Sequence, residues 1–394
     1  TNLVTKGMLR SSSMLYGYND VSTFSSTLNG GIVNYNNAMG NCRWNIVSIY
    51  DYNFRTYLNT LASVKYIGRE KKNTATMPYG YKKVQETKNK KYSIYENQYS
   101  LPLGYTYDKI ISTEAADKYP AAQKQEISML AAVVEEKDIK KNSNLTVTEK
   151  LPLTAQKAKI KKIKLNGVSM HDGKIEIEKP GATMKFFFDA PANAETYLSF
   201  KGDIFAEKDA KEHFILTRVL APGVKYTHKF RIDAYSTGQE EYLFNLGYRK
   251  DSLNKCTLKF NDVGTLEYKD IAVYFQKMDD YADKVNALKE NSLKNAKAEK
   301  NTVTGNITVD KDKMLVITLP YQKGWTAYVD GKKADIQRVN YQYIGINLKK
   351  GSHDIKLHYE LPGIKLAFMI SAGGIIVFAA IIIFNIVRRR RASL

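Results

Sequence analysis

Hydrophobic residues are spaced differently in successive parts of the chain, and each spacing predicts a different kind of element. Residues 1–112 are rich in Asn, Ser and Tyr and are interrupted by glycines, a composition that favours turns. Within this part, apolar residues recur near helical spacing over 57–64, while the run ASVKYIG and residues 91–95 suit strands. We therefore expect an α+β unit with long loops over 1–112.

The middle of the chain changes from a helical period to a period of two. Residues 113–138 have a helical pattern that Pro120 interrupts, so we expect a linking helix over 113–140. From Leu145 onwards, alternating segments such as KIEIEK, TMKFFFDAP and KYTHKFRIDAY are separated by turn residues. Short strands at this spacing are typical of a β-sandwich, which we place at 141–276. A second helix is expected over 277–300.

Residues 301–362 form the clearest β segment. Asp330 and Gly331 stand between two alternating segments and predict a two-residue hairpin turn, and a second turn is expected at Lys350 and Gly351. We expect this hairpin-rich sheet to complete the sandwich.

The last apolar run differs from every segment before it. Residues 366–387 are twenty-two positions without a charge, and as a helix they span about 33 Å, enough to cross a bilayer core. We place a transmembrane helix at 364–387 and a basic tail at 388–394. Because the four arginines at 388–391 favour the cytoplasmic side, residues 1–362 are expected to be extracytoplasmic. The predicted fold class is mainly β with an α+β N-terminal part: β-sandwich ectodomain(s) followed by a single C-terminal transmembrane helix.

The charge balance narrows the class of partner. The chain has 60 Lys and Arg residues against 40 acidic ones, a net charge of +20. An outward-facing domain does not meet nucleic acid, so the charge indicates an anionic envelope polymer or lipid headgroups, unless lysine is simply a favoured surface residue. Only Cys42 and Cys256 are present, which indicates no disulfide framework and leaves their pairing open.

The N-terminal side of the chain does not show how the ectodomain crosses the membrane. No hydrophobic segment precedes the ectodomain, so we expect either that an export signal has been removed or that the chain is the C-terminal piece of a longer membrane protein. Gly363, Ala367 and Ser371 repeat at a spacing that lets another helix approach closely, which favours the second alternative.

Few side chains suggest chemistry by their spacing. His353 and His358 are five apart in a predicted strand and so point to opposite faces, which is unsuitable for a shared metal. Asp279 and Asp280 lack the spacing of a sugar-nucleotide motif and are better explained by their place at a helix start. We expect no cofactor, although the sequence leaves a divalent metal open.

Two aromatic-polar loops stand out as candidate substrate-binding segments. Tyrosine rings stack on the C–H faces of sugars, and amides or carboxylates bond their hydroxyls. The first loop supplies Tyr18, Asn19, Asp20, Ser25 and Asn29, and the second supplies Tyr95, Glu96 and Asn97. Loop packing is the alternative, because 28 tyrosines and 15 phenylalanines make such clusters common.

An ordered set of motifs resembles the bacterial YfhO family of membrane proteins over nearly the whole chain. The motifs are LASVKYIG, MPYGYKKV, SIYENQYSLPLGYTYD, KQEISMLAAVV and LPYQKGWTAYVDGKKADI, followed by Pro-Gly and the last apolar helix with its basic tail. The resemblance implies a polytopic glycosyltransferase of the GT-C class that moves a sugar from a polyprenyl-phosphate donor to a cell-envelope polymer such as lipoteichoic acid. It also implies an N-terminal transmembrane bundle, which is missing from this chain, with the catalytic acidic residue in one of that bundle's external loops.

The expected role is therefore that of the extracytoplasmic portion of such a transferase, with no catalytic residue assigned to this chain and the isolated chain inactive. A membrane-anchored, non-catalytic carbohydrate- or polymer-binding protein is the main alternative. A structural scaffold in an envelope complex is a third.

Overall fold

Strands are the predominant secondary structure in a computed structural model that describes residues 2–5, 13, 17–71, 76–88, 90–204 and 213–392. The predicted fold class is confirmed: the chain is mainly β, has helices within its N-terminal part and ends in one apolar helix.

The N-terminal part combines two small sheets with two helices. Its four-stranded sheet has the order β1-β5-β7-β6 and comprises β1 (Asn2–Thr5), β5 (Val64–Glu70), β6 (Tyr81–Glu86) and β7 (Tyr92–Asn97). Its three-stranded sheet has the order β2-β4-β3 and comprises β2 (Thr23–Phe24), β3 (Trp44–Asn45) and β4 (Ser48–Ile49). The helices are α1 (Gly30–Ala38) and α2 (Thr56–Leu61).

A seven-stranded sheet joins distant parts of the sequence. Its order is β11-β9-β10-β28-β29-β25-β8, from β8 (Gly104–Tyr107), β9 (Lys109–Ser112), β10 (Ala132–Val134), β11 (Thr146–Val147), β25 (Lys313–Pro320), β28 (Gln337–Val339) and β29 (Tyr343–Leu348). Strands near the C-terminus therefore pair with strands from the first third of the chain. The sequence predicts that residues 301–362 complete the sandwich of 141–276. In the structure, β25 instead pairs with β8 and β29 of the seven-stranded sheet.

The linking helix is shorter than the sequence predicts. Residues 113–140 contain α3 (Thr113–Ala116) and α4 (Ala121–Leu130), separated at Pro120, and then the buried strand β10. Two short 3-10 turns follow, Glu136–Asp138 and Lys140–Asn142. The helical pattern fails after Leu130 because the β-branched pair Val133 and Val134 is held in a parallel ladder with β9.

Residues 156–277 form two sheets packed on one core. The first sheet has the order β14-β15-β22-β17-β20, with β12 also on β22, and the second has the order β13-β16-β21-β18-β19. Their bounds are β12 (Gln156–Ala158), β13 (Ile160–Asn166), β14 (Val168–His171), β15 (Lys174–Ile177), β16 (Thr183–Ala190), β17 (Ala194–Ile204), β18 (His213–Ala221), β19 (Val224–Ile232), β20 (Glu241–Arg249), β21 (Leu253–Phe260) and β22 (Gly264–Lys277). Phe186 and Phe230 of one sheet and Phe200 and Phe244 of the other are fully buried in the shared core.

The remaining residues before the apolar helix form one helix and a five-stranded sheet. The helix is α5 (Tyr281–Lys289), shorter than the predicted 277–300, because residues from Lys294 onwards pair with the next strand. The sheet order is β23-β24-β30-β26-β27, from β23 (Lys294–Glu299), β24 (Thr302–Val309), β26 (Trp325–Val329), β27 (Lys332–Ala334) and β30 (Gly351–Tyr359). The hairpin at Asp330 and Gly331 is confirmed: both residues have positive φ and join β26 to β27.

The chain ends in α6 (Ile364–Ala392), which is long and apolar enough to cross a membrane. Its large apolar side chains are exposed, as expected of a helix whose surroundings are lipid. Cys42 and Cys256 are both buried free thiols.

Candidate functional site

A cavity of about 490 Å³ lies between the first polar loop and the sheet that leads into α6. Its size falls within the range of small-ligand sites. Tyr18, Asn19 and Asp20 form one wall. The lining also includes Ala298 and Val303, on β23 and β24, and the end of β25.

Asp20 is held in its loop by its neighbour and keeps spare capacity for a ligand. Its two carboxylate oxygens accept hydrogen bonds from the Ser22 backbone N–H at 3.0 Å and the Ser22 hydroxyl at 2.9 Å. A carboxylate offers about four acceptor positions, so hydroxyl groups of a ligand can still bond to it. Burial raises the pKa of the Asp20 carboxyl, and the bonds from Ser22 only partly oppose that rise.

Ser25 and Asn29 of the same loop have structural partners. The Ser25 hydroxyl donates to the Thr27 carbonyl at 3.0 Å. Asn29 caps α1 by accepting from the Gly31 N–H at 2.7 Å, and its amide nitrogen donates to the Tyr321 carbonyl at 3.0 Å. These contacts join the start of α1 to the segment that follows β25.

The second predicted loop lies on β7 and is not part of this cavity's described lining. Tyr95 accepts from Arg69 at 3.2 Å, and Glu96 pairs with Lys65 at 3.4 Å. Asn97 is 3% exposed, and its amide nitrogen donates to the Thr60 hydroxyl. The structure therefore brings Tyr18, Asn19 and Asp20 together at one cavity and leaves Tyr95, Glu96 and Asn97 outside it.

Two further polar side chains line the cavity and were not identified from the sequence. Gln342 and Tyr343 are 2% and 4% exposed, and their side chains lie beside that of Tyr52, which also lines the cavity. Burial raises the pKa of Tyr343 well above its usual value, so its hydroxyl stays protonated.

The backbone beside these residues is held in an unusual conformation. Asn340 and Tyr341 both have positive φ, at 48° and 65°, and such a φ is a true outlier for a residue as bulky as Tyr341. The Asn340 side chain maintains it by accepting from the Val133 N–H at 2.8 Å. The composition NYQY at 340–343 matches that of the two loops chosen from the sequence, and this was the signal available for finding Gln342 and Tyr343.

The cavity wall continues into the strands that carry the apolar helix. After Pro320, which lines the cavity, Tyr321 donates its N–H to the Gln342 carbonyl, and Gly324 accepts from the Glu360 N–H at 3.0 Å. Helix α6 begins at Ile364, four residues later. Part of the cavity lining, Ala298 and Val303, thus belongs to the same five-stranded sheet as β30, the strand that leads into α6.

The side chains that line this cavity suit recognition of a ligand. No group of three or more His, Cys, Asp or Glu side chains placed to hold a metal occurs in the part of the chain that the structure describes. Rings, an amide, a hydroxyl and a carboxylate together suit a ligand that has both C–H faces and hydroxyl groups.

Comparison with known proteins places this chain among bacterial membrane proteins. A family model described as "Bacterial membrane protein YfhO" matches residues 4–371. The chain is similar to YfhO of Bacillus subtilis (strain 168), with 29% identity over 406 residues that cover 98% of this chain and 43% of that protein. The chain thus spans less than half the length of this relative.

Solved structures are similar only at a coarse level. One is a carbohydrate-binding module from Cellvibrio mixtus lichenase 5A in complex with cellotriose, at 12% identity, a TM-score of 0.18, and coverage of 32% of this chain and 98% of that one. Another is the arabinofuranosyltransferase AftD from Mycobacteria, at 12% identity, a TM-score of 0.15, and coverage of 38% and 12%. At TM-scores this low, neither similarity carries an argument about this chain.

Proposed function

The chain belongs to the YfhO family of bacterial membrane proteins, and from that premise we propose that it is the extracytoplasmic portion of a membrane glycosyltransferase. The transferase moves a sugar from a polyprenyl-phosphate donor to a cell-envelope polymer such as lipoteichoic acid. Residues 1–362 lie outside the membrane and the arginine-rich tail lies in the cytoplasm.

The observation that carries this proposal is the cavity beside the sheet that leads into α6. A lipid-linked sugar stays at the membrane surface, so the site that receives it must be built close to a membrane-spanning segment. The cavity meets this requirement, because Ala298 and Val303 of its lining lie on β23 and β24 of the five-stranded sheet, and β30 of that sheet ends at Tyr359, five residues before α6 begins.

The side chains of this cavity bind and orient a sugar. Asp20 and Asn19 bond to sugar hydroxyls, and the ring of Tyr18 contacts a C–H face. Gln342 and Tyr343 supply a buried amide and a buried hydroxyl to the same cavity. This chain positions the sugar and uses no cofactor, and the catalytic carboxylate belongs to a transmembrane bundle outside it.

Substitution of Asp20 and Tyr18 in the full-length protein tests the proposal. One hydrogen bond to a charged partner contributes about 1.5–3 kcal/mol, so Asp20→Asn should lower sugar transfer per folded molecule at least tenfold. Tyr18→Ala should do the same by removing the ring contact. Membrane insertion and protein level should remain unchanged for Asp20→Asn.

Asp203→Asn is the matched control for the carboxylate. Asp203 is another partly buried aspartate whose pKa is raised by burial, but it lies on β17, outside the described lining of the cavity. Transfer by this variant should stay near the wild-type rate. If Asp20→Asn and Tyr18→Ala also transfer at the wild-type rate, the cavity binds no sugar. A full-length protein that binds polymer without any transfer would instead identify a non-catalytic binding protein.

A further inference from the structure

A second cleft, of about 430 Å³, lies on the outer face of β18 and β19 and is closed on one side by the loop that contains β3 and β4. It is separated from the cavity at Asp20 by the small sheet β2-β4-β3. Thr23 and Ile49 of that sheet line the cavity, whereas Phe24 and Tyr50 line the cleft.

The loop wall of the cleft is fixed to the edge strand by a buried histidine. His228 Nδ1 lies 3.1 Å from the Cys42 carbonyl oxygen, and since a carbonyl can only accept, Nδ1 carries the proton. Burial lowers the pKa of His228 to about 4, so the imidazole is neutral at physiological pH. Trp44, two residues further on, donates its indole N–H to Gln239 at 2.8 Å. The cleft is therefore a built feature of the fold.

Its charged lining is entirely cationic within the described residues. Lys229 and Arg231 alternate with the inward-facing residues of β19 and so share its outer face, and Arg43 reaches in from the loop. Arg43 Nε and Nη2 bond to Asp51, and Arg231 pairs with Asp233 at 3.1 Å. Neither Asp51 nor Asp233 is in the described lining of the cleft. Each carboxylate therefore binds its arginine from outside the cleft, and the guanidinium group keeps further N–H donors for a ligand.

Exposed aromatic rings surround these cations. Phe24, Tyr50 and Tyr235 are 54%, 37% and 47% exposed, although large aromatic side chains are usually covered. The Arg43 guanidinium carbon lies 5.4 Å from the centre of the Tyr50 ring, and the Arg231 guanidinium carbon lies 5.4 Å from the centre of the Tyr235 ring. Cations bind phosphate, and rings bind the C–H faces of a polyol or sugar.

We infer that this cleft binds a polyol-phosphate or sugar-phosphate chain. The chain of an envelope polymer fits better than the headgroups of the bilayer, because none of the described lining residues belongs to the sheet that leads into α6. The inference deepens the proposed function, since it names where the acceptor polymer is held, one sheet away from the sugar cavity. Its test contains no transfer step, so the two can fail separately.

The test measures binding of a fluorescently labelled glycerol-phosphate oligomer to the full-length protein in nanodiscs of neutral lipid. Fluorescence anisotropy gives the affinity. We expect Lys229→Gln to weaken binding at least about fivefold, because it removes an exposed charge from the cleft without disturbing the core. Binding should also weaken as salt rises.

Lys225→Gln is the matched control, because Lys225 is an exposed lysine on the same strand but outside the described lining of the cleft. It should change the affinity less than twofold. Equal losses in the two variants would show a general charge effect and overturn the inference, as would an oligomer that fails to bind. Phosphatidylglycerol vesicles form the third arm: if Lys229→Gln weakens vesicle binding while the oligomer does not bind, the cleft recognises the membrane and the inference is wrong.

Discussion

Lys284→Met should be one of the most destabilising single substitutions in this protein. The Lys284 ammonium is buried on α5, where it pairs with Glu126 of α4 at 2.6 Å and with Asp280 at 2.8 Å. Glu126 is fully buried and also accepts from the Thr154 and Ala155 backbone N–H groups. The cluster joins two helices to the segment that enters the two-sheet core.

The expected loss in the free energy of unfolding follows from the charge that the substitution leaves unpaired. Methionine fills the space of the lysine stem but leaves a buried carboxylate without its cation. Breaking a buried ion pair in this way costs about 3–5 kcal/mol. Glu126 retains hydrogen bonds from Thr154 and Ala155, so we expect a value near the lower end, about 3 kcal/mol. Glu126→Gln in the Lys284→Met background should recover at least half of the loss, because it removes the unpaired charge.

Urea unfolding of the purified protein in detergent, followed by circular dichroism, measures this cost. With a slope of about 3 kcal/mol per M, the midpoint should fall by about 1 M. Lys269→Met is the matched control, because its pair with Glu240 is 73% and 78% exposed and so contributes about 0–1 kcal/mol. The reasoning is refuted if Lys284→Met shifts the midpoint no more than Lys269→Met does.

Three other outcomes follow from particular residues. Burial raises the pKa of the Glu195 carboxyl from 4.5 to about 7. The contribution of the neutral carboxyl to the stability of the folded protein is therefore fully present below pH 4.5 and is lost as the pH rises through about 7. Relative to wild type, Glu195→Gln should therefore gain about 3 kcal/mol between pH 4.5 and pH 8 in urea titrations, and an unchanged difference would contradict the assignment. Gly202→Ala should cost more than 2 kcal/mol in the same assay, because its Cβ would lie 2.0 Å from a carbonyl of the paired strand. Gly238→Ala, where the space is open, should cost only about 1 kcal/mol. Finally, the two thiols of this chain are buried, so an impermeant maleimide applied to intact cells should label Lys333→Cys above the wild-type level but not Ala392→Cys, whereas the reverse pattern would invert the proposed orientation.

Local signals in the sequence were sufficient to predict the elements whose formation depends on residues close together in the chain. The turn at Asp330 and Gly331 needs only a short pair of residues that tolerate positive φ, and the apolar helix needs only an uninterrupted hydrophobic run. The long-range pairing of β8 with β25 could not be read in this way, because about two hundred residues separate the strands and either could pair with many others.

The candidate site shows the same division between local and long-range information. The polar loop at Tyr18, Asn19 and Asp20 was chosen from composition, and the fold places it at a cavity. Composition could not distinguish Asp20 from Asn97, which is a similar polar residue but has its amide committed to the Thr60 hydroxyl. Tyr343 was read only as part of a strand, because its role depends on the positive-φ residues before it and on neighbours brought from elsewhere in the chain.

Transfer from a defined donor tests the central claim most directly. Membranes that contain the full-length protein are incubated with a radiolabelled polyprenyl-phosphate sugar and a glycerol-phosphate polymer, beside membranes from cells that lack the protein. The account predicts label in the polymer only when the protein is present, and at least tenfold less with Asp20→Asn. Polymer that remains unlabelled in the presence of folded, membrane-inserted protein would contradict it.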